Sequence, residues 1–413
     1  MGEERAGGHA VKGHHPVWRL LGPGFVAAVA YVDPGNVAAN LSAGAEYGYL
    51  LVWVLVAANL MAMLVQYLSA KLGLVSGHTL PELIGERIGT RAGRLLFWFQ
   101  AEIVAAATDL AEVIGGAVAL QLLLGLPLLV GGLVIGAVSL LLLVLGSRRG
   151  PRVFELSITG LLVVVTLGFV AGLVVSPVDW GGVAAGLEPR FWGRDTVLLA
   201  ASMLGATVMP HAVYMHSSLV RDRHGVSEEP GRIRMLVRAT RWDILLSLLV
   251  AGTVNVAMLV LAASSLSGLT GIDGIDTAYD AIRTRLGAGV GLAFAVGLLA
   301  SGLASTSVGA YAGSEIMDGL LHARVPMIVR RLVTLVPALL ILATGFSPSR
   351  ALVLSQVLLS LGLPWAVIPL IRVTGDRRVM GRFANPHWLR VTSWAVAGLI
   401  CLLNIMLVVL TLA

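Results

Sequence analysis

The chain has 413 residues, of which 57% are hydrophobic and only 13% are charged, and its mean hydropathy is +0.87. Because soluble domains carry about 25% charged residues, this composition excludes an ordinary soluble enzyme or binding domain and predicts an all-α polytopic membrane protein. The net charge of +6 is carried by basic residues between apolar stretches, so it reports membrane topology and implies no nucleic-acid partner.

Eleven apolar stretches are each long enough to form a transmembrane helix. They cover residues 19–44, 48–75, 94–124, 127–147, 155–176, 196–219, 242–265, 286–318, 327–346, 350–373 and 389–412. The connecting segments are short, so we predict a single transmembrane domain over residues 1–413 with a cytoplasmic tail at 1–18. The one cysteine, Cys401, excludes a disulfide within the chain and a cysteine-based metal site.

The basic residues predict the orientation of these helices. With the N-terminus in the cytoplasm, all but five of the 29 lysines and arginines lie on the cytoplasmic side. The five exceptions are Arg190, Arg194, Arg283, Arg285 and Arg350. Because cytoplasmic loops are enriched in Lys and Arg, we predict a protein of the inner (plasma) membrane with a cytoplasmic N-terminus. An odd number of spans then places the C-terminus outside the cytoplasm.

The first apolar stretch is interrupted by Asp33-Pro34-Gly35-Asn36. A charged residue at bilayer depth costs roughly 2.5–3.5 kcal/mol on insertion scales, so the carboxylate needs compensation. The proline removes a backbone N–H donor and the glycine relaxes the backbone, so the helix can open and expose carbonyl oxygens. A structural kink would need the proline but neither the carboxylate of Asp33 nor the amide of Asn36. The combination predicts a cation site.

The third stretch carries three acidic residues on one helical face, namely Glu102, Asp109 and Glu112. Their spacings of seven and three residues spread them over about 15 Å of helix. Acidic residues inside a membrane are candidates for function, and Arg330 and Arg331 in the ninth stretch are expected to pair with Asp109 and Glu112. Two interpretations stay open, which are a proton pathway and a set of static ion pairs that hold two helices together.

The sixth stretch is also interrupted, between Gly205 and His211. Paired interruptions at corresponding positions of two halves indicate a transporter built from inverted repeats, with its site at the interface between them. We predict that helices 1 and 6 are unwound at mid-membrane. The two repeats of five helices then cover 19–176 and 195–373, and the eleventh helix, 389–412, is peripheral.

Two side chains of the second interruption have alternative interpretations. Met209 either fills a gap in the packing or supplies a soft thioether ligand. Opposite an oxygen site, a thioether would favour manganese, ferrous iron, cobalt or cadmium over calcium or magnesium. His211 is either a structural side chain or a proton carrier, since histidine titrates near neutral pH. We do not predict that His211 binds metal.

A few other polar residues lie inside the apolar stretches. Asn59, Thr207 and Asn255 are predicted to act as gate residues or as partners in hydrogen bonds between helices. Gln356, in the tenth stretch, is a candidate for completing the coordination shell of a bound cation.

The motifs Asp33-Pro34-Gly35-Asn36 and Met209-Pro210-His211 resemble the paired signature of the Nramp family of proton-coupled divalent-metal transporters. The likeness extends over nearly the whole chain. It includes Asn59, the acidic residues of the third stretch, the arginine pair of the ninth stretch and Gln356.

This resemblance implies a leucine-transporter-like fold with a 5+5 inverted repeat plus one helix. It also implies import of Mn²⁺ or Fe²⁺, and of Cd²⁺ or Co²⁺, by alternating access with proton symport. The implied metal ligands are Asp33, Asn36 and Met209 with the carbonyls of Ala30 and Ala206. A proton route would lead from Asp33 towards the cytoplasm, with no cofactor and no obligate protein partner.

Other functions fit the sequence less well. An enzyme or a primary pump would need a catalytic motif or a phosphate-binding loop, and neither is recognisable. A sodium-coupled amino-acid symporter of the same fold would bind a substrate carboxylate, which the charge of Asp33 would repel. A divalent-cation channel is harder to separate, because broken helices also line pores. Measurement of proton movement during metal flux distinguishes a channel from a symporter.

Overall fold

The computed structural model describes residues 22–149, 151–267, 274–322 and 325–412, and the regular structure within these ranges is helical. The helices are α1 (Pro23–Val29), α2 (Pro34–Tyr47), α3 (Val52–Ser76), α4 (Leu80–Arg87), α5 (Arg91–Leu124), α6 (Leu128–Arg149), α7 (Pro151–Val175), α8 (Trp180–Ala185), α9 (Arg194–Thr207), α10 (Pro210–His224), α11 (Pro230–Ser265), α12 (Ile275–Leu286), α13 (Ala288–Leu321), α14 (Met327–Ala343), α15 (Pro348–Gly375), α16 (Arg377–Met380) and α17 (His387–Leu412). Two 3₁₀ turns cover Ala30–Val32 and Gly381–Phe383. The predicted tail, 1–18, lies outside the described residues.

Eight helical segments of the described chain are long and apolar enough to cross a membrane. They are Val52–Ser76, Arg91–Leu124, Arg152–Val175, Arg194–His224, Pro230–Ser265, Ala288–Leu321, Pro348–Gly375 and His387–Val409. Pro23–Val32 and Leu128–Val144 are shorter apolar helices. The predicted all-α membrane class is therefore confirmed. Each of the eleven predicted stretches overlaps a helix, whereas the number of crossings remains a prediction.

Small residues bring the long helices into close contact around the middle of the bundle. Helix α13 packs against α5 and α7, and α11 packs against α2 and α3. A Cβ atom at Gly302 of α13 would lie 3.0 Å from the backbone of Gly116 of α5, so a larger side chain would separate the two helices. The small residues of α13 around Gly302 thus form a surface that packs closely against α5.

One buried acid holds the start of α1. Asp243 of α11 accepts hydrogen bonds from the backbone N–H groups of Gly22, at 3.1 Å, and Gly24, at 2.7 Å. These groups belong to a helix N-terminus, where N–H donors have no partner within the helix. Asp243 thereby ties α1 to α11, and nothing in the sequence pattern pointed to this contact.

A second contact ties the short helix α4 to the end of α10. Thr79 and Glu82 form a capping box at the start of α4, and Arg221 lies 2.7 Å from the Glu82 carboxylate. Partial burial opposes ionisation of Glu82, but its bonds to the Thr79 N–H and to Arg221 outweigh burial and lower its pKa. The carboxylate therefore stays charged and holds α4 in place.

Candidate functional site

The first helix interruption lies at Asp33. This residue has extended backbone angles, φ −70° and ψ 166°, between the 3₁₀ turn and α2. Its Oδ1 accepts hydrogen bonds from the Asn36 backbone N–H, at 2.9 Å, and from the Asn36 Nδ2, at 2.6 Å. Asp is a favoured N-cap and Pro a favoured first helical residue, so the local sequence accounts for the restart at Pro34. Asp33 is fully buried, and its Oδ2 has no hydrogen-bond partner within the described ranges.

The second interruption lies at Val208 and Met209. Helix α9 ends at Thr207, both residues have extended backbone angles, and α10 begins at Pro210. Met209 is fully buried at the N-cap of α10. A methionine side chain cannot cap the helix with an oxygen, so local capping preference does not explain this residue.

At each interruption, a proline removes the α-helical donor of one particular carbonyl. In an α-helix the carbonyl of residue i accepts from the N–H of residue i+4. Four residues after Ala30 comes Pro34, and four residues after Ala206 comes Pro210. Because proline has no N–H, the two carbonyls predicted as ligands are the two that these prolines release.

Asn36 connects the two interruptions across the bundle. Its Nδ2 donates to the Ala206 carbonyl at 2.9 Å as well as to Asp33, and its Oδ1 accepts from Thr207 Oγ1 at 3.4 Å. The amide therefore lies between the carboxylate of one break and the freed carbonyl of the other. The structure brings together Asp33, Asn36 and Ala206, three of the residues that the resemblance implies as ligands.

Gln356 of α15 lies beside the same carboxylate. Its amide packs closely on Gly35, and Asp33 Oδ2 lies 3.0 Å from where a Cβ on Gly35 would be. Neither atom of the buried Gln356 amide makes a hydrogen bond of standard geometry to a described residue, but the amide is close enough to interact with the Asp33 carboxylate. The amide and a carboxylate oxygen are thus adjacent, and Gly35 provides the space for both.

The predicted gate residues occupy different places. Asn255 donates to the Tyr31 carbonyl at 2.7 Å, two residues before Asp33, and accepts from Asn40 at 2.8 Å. Thr207 also donates to the Met203 carbonyl, at 2.7 Å. Asn59 is half-buried and packs against Gly252 of α11.

The side chains of Tyr31, Gln66 and His216 form a hydrogen-bonded chain next to the first interruption, and none of them was predicted as functional. Gln66 donates to the Tyr31 hydroxyl at 2.6 Å, and the other end of its amide lies 2.6 Å from His216 Nδ1. All three side chains are buried. The sequence shows each of them as a polar residue inside an apolar stretch, but only the fold shows that Gln66 contacts both Tyr31 and His216.

The acidic face of α5 meets the two arginines of α14 in a different register from the predicted one. Arg331 pairs with Asp109 and donates to Ser139 Oγ at 3.1 Å. Arg330 pairs with Glu102, with Nη2 at 2.9 Å from both carboxylate oxygens. The predicted pairing of these arginines with Asp109 and Glu112 is therefore wrong for Glu112. Adjacent residues on a helix point about 100° apart, so Arg330 and Arg331 reach acids two turns apart on α5.

Glu112 and His211 are also buried, and neither forms an ion pair within the described part of the chain. Neither carboxylate oxygen of Glu112 has a hydrogen-bond partner within the described part of the chain, and Gly309 of α13 provides the space beside it. The His211 Nδ1 lies 3.4 Å from the Thr108 hydroxyl of α5, next to Asp109 in sequence. His211 therefore connects the second interruption with the acidic face of α5.

The described residues contain no group of three or more His, Cys, Asp or Glu side chains that could hold a metal ion. The residues predicted as ligands have a different composition, with one carboxylate, two amides, two backbone carbonyls and a thioether.

Two broken helices and a buried carboxylate within an all-helical apolar bundle define an integral membrane protein with a polar centre. The family model described as "Natural resistance-associated macrophage protein-like" matches residues 24–410. The chain belongs to this family, Nramp, and the resemblance seen in its motifs is confirmed.

Individual relatives agree with this assignment. The chain is 59% identical over 394 residues to the "Divalent metal cation transporter MntH" of Mycobacterium tuberculosis, covering 95% of this chain and 92% of that one. It is 43% identical over 402 residues to the protein of the same name from Bacillus subtilis, with 97% and 94% covered.

Solved structures extend the agreement to the fold. The Eremococcus coleocola manganese transporter, crystallised with an aromatic bis-isothiourea substituted compound, superposes with a TM-score of 0.86 at 31% identity, covering 96% of this chain and 88% of that chain. Mhp1, a nucleobase-cation-symport-1 family transporter, gives a TM-score of 0.58 at 16% identity, over 94% and 89% of the two chains. The second similarity concerns the fold alone.

Proposed function

We propose that this protein imports divalent transition-metal ions, Mn²⁺ or Fe²⁺ with Cd²⁺ and Co²⁺ as further substrates, by proton-coupled symport. The observation that carries the proposal is the buried oxygen of Asp33, which has no hydrogen-bond partner among the described residues and lies where two helices are interrupted. Family membership and the names of the relatives support a metal cation as the substrate.

The proposed ligands are Asp33, Asn36, Met209 and the carbonyls of Ala30 and Ala206, with Gln356 joining when the site is closed. The Asn36 amide group donates to both Asp33 and Ala206, so it occupies the position of a cation. Rotation of this amide by half a turn would present Oδ1 instead of Nδ2 and allow a metal ion between the three groups. The thioether of Met209 would then favour a soft transition metal over Ca²⁺ or Mg²⁺.

Alternating access follows from the burial of the proposed ligands. Asp33, Asn36 and Met209 are all fully buried, so an ion can enter or leave only after helices move. We propose eleven transmembrane helices in a leucine-transporter-like fold, with the first and sixth unwound at mid-membrane. The hydrogen bond of Asn255 to the carbonyl of Tyr31 would act as a gate contact, because it ties α11 to the segment that must move.

We place the coupling proton on a path from Asp33 through His211 and the acidic face of α5. His211 contacts Thr108, and the adjacent Asp109 pairs with Arg331. Glu112, which forms an ion pair with neither Arg330 nor Arg331, would accept a proton on this path. We orient the path towards the cytoplasm, the side on which the arginine distribution predicts the N-terminus to lie.

The test is metal uptake into proteoliposomes with the internal pH recorded, across Mn²⁺, Fe²⁺, Cd²⁺, Mg²⁺ and Ca²⁺. We expect saturable uptake of the first three ions and internal acidification that depends on the metal. The variant Asp33→Asn gives the background uptake expected without the site. The matched control is Asp195→Asn, at the first turn of α9, because it removes a carboxylate outside the site.

Each alternative predicts a different result. A divalent-cation channel would pass metal without saturation and without proton movement. A sodium-coupled amino-acid symporter would need Na⁺ and would take up an amino acid in place of metal. Saturable metal uptake with no change in internal pH would retain metal transport and remove proton coupling.

A further inference from the structure

A basic cavity lies at the end of α15, far along the chain from the candidate metal site. It has a volume of ≈ 530 Å³ and lies between α16 and the start of α17. Its lining includes Arg377, Arg382, Arg390 and His387, and none of the described residues that line it is acidic. A cavity with three guanidinium groups and no carboxylate attracts an anion.

The acidic residue that precedes Arg377 in sequence, Asp376, is engaged with other groups. Asp376 pairs with Arg87 of α4 at 2.8 Å and accepts from the backbone N–H of Arg378 at 2.9 Å. These interactions lower the pKa of Asp376, the bond from the Arg378 N–H contributing most. Asp376 thus stays ionised and engaged with α4, so it does not neutralise the arginines of the cavity.

Hydrogen bonds hold Asn385 of the cavity lining in place, and one of them comes from a lysine that adds a further positive charge. Asn385 is buried, and its Nδ2 donates to Thr374 Oγ1 at 3.0 Å. The buried Lys71 of α3 donates to Asn385 Oδ1 at 2.8 Å. Arg390 is held by a 3.0 Å bond to the Gly375 carbonyl, so its remaining N–H groups are available to a ligand.

The surroundings indicate a membrane interface. Trp388 follows His387 at the start of α17 and is 62% exposed, and Trp394, one and a half turns later, is 41% exposed. Exposed tryptophans are enriched where the headgroups of a bilayer meet its apolar core. We infer that the cationic cavity beside them lies at the depth of lipid phosphates, on the side that the arginine distribution predicts to be cytoplasmic.

We propose that this cavity binds the phosphate of an anionic phospholipid from the adjacent leaflet. The arginine fork fits a phosphate through paired N–H donors, and the exposed start of α17 lets the acyl chains stay in the bilayer. The site is independent of metal binding, so it stands whether or not the proposed transport activity does.

The test is native mass spectrometry of the full chain released from detergent with phosphatidylglycerol, cardiolipin or phosphatidylcholine. We expect retention of the two anionic lipids and little retention of phosphatidylcholine. In the double variant Arg377→Gln with Arg382→Gln, affinity for the anionic lipids should fall at least fivefold. The matched control, Arg190→Gln with Arg194→Gln, removes two arginines from the opposite predicted side and should retain wild-type affinity.

Two further measurements make the result decisive. Thermal unfolding without added lipid should be the same for both double variants, because neither Arg377 nor Arg382 is in a described ion pair. Inorganic phosphate at millimolar concentration should not displace the lipid. Equal lipid retention by the two double variants, or displacement of the lipid by free phosphate, would overturn the assignment of this cavity to a phospholipid.

Discussion

The carboxylates at the helix interruptions and along α5 have their charge compensated in different ways. At the helix interruptions, Asp33 has no ion-pair partner among the described residues, and one of its oxygens has no hydrogen bond. Along α5, Glu102 and Asp109 each pair with an arginine of α14. A carboxylate with a permanent cation is already neutralised, whereas one without a cation can bind an exchangeable ion. On the proposed function, the buried acid whose charge has no described cationic partner is therefore the one that binds the transported ion.

Glu112 lies between these two cases. It is on the same face of α5 as the paired acids, yet both of its oxygens lack partners within the described ranges. An unpaired buried carboxylate is costly in the charged form, so a proton is the simplest compensation. Glu112 therefore resembles Asp33 in having no described ion-pair partner, although it lies on α5 with the paired acids.

The largest expected effect is that of Asp33→Asn. We expect Mn²⁺ uptake to be abolished and Mn²⁺ affinity to fall more than about 100-fold, because removal of even an outer-shell partner costs 10–100-fold. The melting temperature should stay the same or rise, since the variant loses a buried charge that has no cationic partner. Calorimetric titration and thermal unfolding measure both quantities.

The control for this comparison is Asp195→Asn, which should leave uptake and melting temperature unchanged. A clear drop in the melting temperature of Asp33→Asn would place Asp33 with the structural acids of α5. Uptake at the wild-type rate would remove Asp33 from the transport site altogether.

The second largest effect is expected for Asp109→Asn, which should lower stability and leave metal affinity nearly unchanged. The variant leaves the buried guanidinium of Arg331 without its partner, which typically costs 3–5 kcal/mol in stability. Metal affinity should change far less, because the Asp33 site keeps its ligands, while metal-stimulated proton flux or its pH dependence should change. Chemical denaturation, calorimetry and liposome proton flux give the three quantities.

The double variant Asp109→Asn with Arg331→Gln tests the cause of that loss. It removes both charges and should recover part of the stability lost in the single variant. Full recovery of stability without recovery of proton coupling would show that the pair conducts protons. Unaltered proton coupling in Asp109→Asn would instead mean that the pair only holds α5 and α14 together.

The smallest effect is expected for Met209→Ala, which changes selectivity. The ratio of Cd²⁺ to Ca²⁺ affinity should fall about tenfold, equivalent to about 1.4 kcal/mol, because the only soft ligand is lost. Met215→Ala is the matched control, since Met215 is equally buried in α10 but lies away from the interruption. A competition assay against both ions measures the ratio. The same ratio in both variants would assign Met209 to packing.

The sequence by itself determined the interruptions, the all-helical class and the family. Pro34 and Pro210 act on the backbone of their own helices, so the loss of an α-helical donor at Ala30 and Ala206 needs no knowledge of the fold. Hydropathy likewise marked the apolar stretches, because burial in a bilayer depends on the composition of each segment.

Only the tertiary structure decided which polar groups meet. The contact of Asn36 with Ala206 joins residues 170 positions apart, and the packing of Gln356 on Gly35 joins more distant ones. The choice of Glu102 over Glu112 by Arg330 depends on how α5 and α14 are rotated about their axes, which helical spacing within one stretch cannot reveal. Local backbone chemistry thus fixed where the helices open, and long-range packing fixed which side chains compensate the buried charges.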